Sequence, residues 1–69
     1  MKLWIIERTD SVGYDEYDSI VVAADSEDDA LRIEPKGGWA SVDHLTARCI
    51  GEAMPYVSRG VVHASFNAG

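Results

Sequence analysis

The six residues Ser19–Ala24, SIVVAA, are apolar and β-branched, and they stand between two clusters of acids. Such a run is too short for a stable helix and has the composition of a strand. The acids on either side are therefore anchored to something that can fold. The stretch Asp10–Asp29 holds eight of the chain's twelve acidic residues and no Lys, Arg or His. It reads as a charged surface held on a scaffold and not as a disordered acidic tail.

A second strand is expected at Leu3–Arg8. Leu3 and Ile5 share one side of it and Trp4 and Ile6 the other, so both sides are apolar, as in a central strand. The simplest arrangement pairs it antiparallel with Ser19–Ala24. The intervening Thr9–Asp18 is long for a hairpin turn, and its part near Tyr17 is expected to extend the second strand. Ser26 then has the character of a helix N-cap, with Glu27, Asp28 and Asp29 in the first turn. Ser26 and Asp29 have capping-box spacing, with Asp in place of the usual Glu. Carboxylates there favour the positive end of the helix dipole. Ala30, Leu31 and Ile33 give the helix an apolar side, Arg32 sits late in it, and Pro35 with Gly37–Gly38 stops it.

The second half is less clear-cut. Ser41 can cap a single helical turn, and Trp39 is expected to cover an edge of the core. Ala47–Ala53 reads as a third strand. Ser41–Met54 as a second helix is the alternative, weakened by Gly51. A loop broken by Pro55 and closed by Gly60 leads to a last strand, Val61–Phe66, and the final residues are expected to fray. The fold class expected is α+β: a single domain over residues 1–69, with a small antiparallel sheet of three to four strands packed against one or two short helices.

Sixty-nine residues leave room for one core and no deep cavity. One cysteine, Cys49, cannot staple the fold, which fits a reducing compartment. Leu3–Ile6 is too short an apolar run for an export signal or a membrane span, so a cytoplasmic location is expected. The net charge of −6 repels nucleic acid and anionic membrane and attracts basic surfaces. The charge is uneven. Residues 1–34 carry ten acids and three bases, net −7, and residues 35–69 carry two acids and three bases, net +1.

No catalytic signature emerges, so the chain is expected not to be an enzyme. Cys49 with His44 or His63 is the sole Cys/His combination; Cys49 is expected to be buried and structural, and His63 half-buried in its strand. The acids Asp10, Asp15, Glu16 and Asp18 do not follow the EF-hand pattern. No zinc cluster or phosphate loop is present, and no cofactor is expected. Capping and the helix dipole account for Asp25–Asp29. The four acids Asp10, Asp15, Glu16 and Asp18 have no such explanation, and their mutual repulsion weakens the fold unless something uses them. Carboxylates spaced along a hairpin and a helix start can imitate a run of phosphates, with Tyr14 and Tyr17 stacking on Arg. The candidate partner-binding residues are Asp10, Tyr14, Asp15, Glu16, Tyr17, Asp18, Glu27, Asp28 and Asp29.

Through MKLWIIERTD, GYDEYDSIVVAADSEDDA and GVVHASFNAG the chain resembles a group of short acidic proteins encoded by phages and mobile elements. In size and charge it is also similar to anti-CRISPR proteins that act on type I surveillance complexes. The resemblance implies an inhibitor of Cascade that acts as an acidic DNA mimic. Its partner would be the basic DNA-binding surface of a host CRISPR-Cas surveillance complex, with no direct binding of nucleic acid. The alternative is a small phage adaptor or regulator that contacts a host or virion protein through Trp39, Met54, Pro55 and Tyr56.

Overall fold

In the computed structural model, described for residues 1–10, 16–35, 39 and 41–67, four strands form one antiparallel sheet. They are β1 (Lys2–Arg8), β2 (Glu16–Ala24), β3 (Leu45–Glu52) and β4 (Gly60–Asn67), in the spatial order β3-β1-β2-β4. β1 is inside the sheet, as its two apolar sides require. It pairs antiparallel with β2 from Lys2↔Ala24 to Glu7↔Ser19, the pairing expected. β2 begins at Glu16, so the segment around Tyr17 does extend it.

A short helix, α1 (Glu27–Leu31), follows β2. β2 and β3 both run antiparallel to β1 and hence parallel to each other. The segment joining them must cross β1, and α1 packs against β1, β2 and β3 on the way. Opposite residues of paired strands share a side of the sheet. Ile6 opposite Ile20 and Trp4 opposite Val22 therefore face the helix together. The core cluster is Ile6, Ile20, Val22, Ala24, Ala30 and Ile33, with Trp4, Leu31, Trp39, Leu45, Ala47 and Ala64 packed around it. Trp4 is thus a rim residue, not a fully buried one. Its indole Nε1 donates to the Ala24 carbonyl at 3.1 Å, which ties β1 to the end of β2. Trp39 covers the core as expected, and its Nε1 is buried without an acceptor among the described residues.

α1 ends earlier than Pro35 alone would demand. Arg32 is its C-cap, and Ile33 N–H bonds back three residues to the Ala30 carbonyl. The proline pushes the residue before it out of helical geometry, so the last turn tightens and stops. At the other end Ser26 Oγ accepts from Asp29 N–H at 3.1 Å. The capping box is half made. The Asp29 carboxylate, one methylene shorter than Glu, turns to Arg59. Ser26→Ala should cost about 1 kcal/mol, read as a lowered urea midpoint with unchanged slope.

The region 41–54 resolves in favour of the strand. Ser41 caps one 3₁₀ turn, Val42–His44, and β3 starts at Leu45. β3 is an edge strand whose pairing with β1 shifts between Leu3 and Trp4, where Ile50 is the extra residue. Gly51 beside it has φ +157°, a value at the limit of what other residues adopt. This edge position corrects the reading of Cys49: it is exposed, its Sγ within 3.7 Å of the Gly51 carbonyl. His63 is corrected likewise. β4 is the opposite edge, and His63 is exposed on it, across from Val21.

Candidate functional site

The topology separates the acids that are consecutive in sequence. β2 runs the height of the sheet, so acids before it and after it fall at opposite ends. Asp18 and Asp25 are seven residues apart along this strand, roughly 23 Å at the usual rise. Glu7, Asp10 and Asp18 belong to one end, where β1 finishes and β2 starts. Asp25, Glu27, Asp28 and Asp29 belong to the other, where β2 passes into α1.

At the first end Arg8 is the organiser. Its side chain is 7% exposed, and it grips Asp10 through Nε–Oδ1 at 2.7 Å and Nη2–Oδ2 at 2.8 Å. Nη1 also donates to the Tyr17 carbonyl at 3.4 Å. One guanidinium therefore ties Asp10, two residues past the end of β1, to Tyr17 at the start of β2. Asp10 was expected to be an acid without a structural use; Arg8 is that use. Hydrogen bonding from Arg8 holds the Asp10 carboxyl below its ordinary value. Tyr17 is half-buried. Asp18 is exposed, the extra residue where β2 shifts register against β4, and accepts from Ser19 Oγ at 3.3 Å. Tyr14 and Asp15 lie outside the described residues, as does the side chain of Glu16.

At the second end Asp29 has a structural role. Arg59, thirty residues away, bonds it through Nε at 3.1 and 2.9 Å and Nη2 at 2.7 Å. The pair fastens the β3–β4 loop to the helix start. Hydrogen bonding from Arg59 lowers the Asp29 pKa, and the same bond raises that of Arg59. Asp25, Glu27 and Asp28 are exposed and make no ion pair among the described residues. Asp18 is exposed in the same way, as are Glu7, Glu34, Asp43 and Glu52 elsewhere on the sheet and its connections.

A lowered carboxylate pKa in the folded state adds stability above the unfolded pKa, and that stability is lost as pH falls through the folded value. Asp10 and Asp29 should thus make the protein melt earlier as pH drops below the ordinary carboxylate range. Thermal melts of Asp10→Asn and Asp29→Asn across that acidic window should lose part of this dependence. Arg8→Lys should not restore the wild-type melt, because an ammonium cannot make the two-pronged contact.

The described residues hold no grouping of three or more His, Cys, Asp or Glu able to bind a metal ion. An open hollow of about 290 Å³ is lined by Asp28, Leu31, Arg32 and Val42, at the lower limit of ordinary ligand pockets. No helix among the described residues is long and apolar enough to cross a membrane. Of the alternative apolar contact set, Met54 and Tyr56 are 60% and 81% exposed and Pro55 is exposed between them. Trp39 is not part of that patch; it packs on the core. Sequence reasoning missed Arg8 and Arg59 as the residues that divide structural acids from free ones. A base two residues before Asp10 was visible, whereas Arg59 meets Asp29 only through the fold. Comparison with protein-family models, with curated proteins and with solved structures found no match.

Proposed function

We propose that this chain is a binding protein whose exposed acids occupy a basic, nucleic-acid-binding surface of a partner protein. The observation that carries the reading is the division of the acids: Asp10 and Asp29 are held by arginines, while Asp18, Asp25, Glu27 and Asp28 face solvent with no ion pair among the described residues. Unpaired carboxylates spread over roughly 23 Å match a length of duplex carrying about a dozen phosphates. The concrete form that the sequence resemblance favours is an anti-CRISPR protein of phage origin, a DNA mimic that blocks target DNA from a type I Cascade complex. The test is competition with labelled target DNA for purified Cascade. Displacement should weaken steeply between about 50 and 200 mM salt. Absence of displacement at low salt would rule the reading out.

The second reading, an adaptor that docks through Met54, Pro55 and Tyr56, is favoured by the exposure of all three in one turn. Such a contact should be nearly indifferent to salt and sensitive to Tyr56→Ala.

A further inference from the structure

We propose that two copies of this chain associate edge to edge through β4, antiparallel, to make one continuous sheet of twice four strands. The proposal is independent of the function proposed above. β4 is outermost and pairs with β2 alone. None of the backbone bonds outside the regular elements reaches Gly60–Asn67 among the described residues. One side of this eight-residue strand thus presents amides and carbonyls with no backbone partner among the described residues, a ready template for another strand. Val61 and Val62 are 41% and 50% exposed along it.

The two edges of the sheet differ. β3 carries Arg48 and Glu52 and is broken by the irregularity at Ile50–Gly51. Charges and bulges of this kind protect an edge. β4, GVVHASFN, has no formal charge and no proline. Its pairing with β2 shifts register twice, and only one of the extra residues, Val62 near its start, is on β4 itself; the other, Asp18, is on β2, so from His63 onward β4 has no extra residue of its own.

The occupant follows from charge. Two copies each carrying −6 repel overall, the acids lie mostly in residues 1–34, and β4 is a neutral strip in the half that carries net +1. A foreign strand drawn to so acidic a chain would carry bases, and this edge offers them no acid. An antiparallel strand is complementary to itself about a two-fold axis, so a second copy satisfies both edges at once. The small core also leaves stability to be gained by association.

The experiment is sedimentation velocity on the whole chain from about 1 μM to about 1 mM, the range that spans weak to firm self-association. A monomer–dimer equilibrium is expected. His63→Lys should raise the dissociation constant about tenfold or more, because like charges meet near the axis. Thr46→Lys, exposed on the β3 edge, should leave it unchanged. In a Cys49→Ser background, single cysteines at 61–65 should form inter-chain disulfides only next to the axis, since a two-fold pairs each other position with a different residue. A monomer at every concentration overturns the proposal. So does a dimer that ignores His63→Lys and yields no such position-specific cross-link, or a monomer that takes up only a foreign strand peptide.

Discussion

Trp4→Ala should cost about 3 kcal/mol, the lower end for a tryptophan truncation, because the ring sits at the rim of the core and not at its centre. Two losses combine. The ring leaves the surface it shares with Val22 and the core cluster, and the Ala24 carbonyl loses the Nε1 donor that ties the end of β2 to β1. A domain of this length has roughly 3–10 kcal/mol in total. Since about 1 kcal/mol moves the melting temperature by roughly 4–8 °C at this size, the variant should melt at least ~12 °C early. Ile6→Ala, at a position with no exposure, should cost about 2–5 kcal/mol, and its larger share would mark Ile6 as the true centre. Trp4→Phe separates the two losses: it keeps most of the apolar area and removes the donor. A Trp4→Ala melt within a few degrees of wild type would show that the tryptophan is not part of the sheet's packing.

Reversing Asp18, Glu27 and Asp28 to Lys should weaken competition with target DNA by about thirtyfold or more, while the two lysines in the first turn of α1 oppose the helix dipole and cost about 0.3–1 kcal/mol each. Each single change to Ala should be mild, because exposed ion pairs contribute little one at a time. Reversal replaces three attractions by three repulsions and removes the long-range steering. The three positions are solvent-facing and make no ion pair among the described residues, so circular dichroism should still report the folded sheet, with any loss confined to the short helix. A second triple, Glu34, Asp43 and Glu52 to Lys, changes the net charge equally at other exposed positions. It separates a placed surface from bulk charge. Equal loss in both variants would mean that only net charge matters. No loss in either would leave the Met54–Tyr56 turn as the contact.

Several elements were legible in the sequence because short-range chemistry writes them. The two-sided apolar run at Leu3–Ile6 required an inner strand. The β-branched run at Ser19–Ala24 required its neighbour. Ser26 ahead of three acids required a helix start, and Ser41 a single turn. Each depends on residues within one turn or one strand of each other. The length of α1 was less legible, since Pro35 acts on the residues before it and sets a limit without setting the last helical residue.

What only the tertiary structure decided concerns partners far apart in the chain. His63 lies between Val62 and Ala64, and Cys49 between Arg48 and Ile50; the exposure of both follows from strand order, which puts β3 and β4 at the two edges. Asp28 and Asp29 look alike in sequence. One is exposed and the other is gripped, because the β3–β4 loop brings Arg59 over the helix start. Local pattern determined which segments extend, coil or cap, for those choices depend on side chains already adjacent. It could not determine which acids remain free, because a carboxylate's partner is chosen by the folded chain in space.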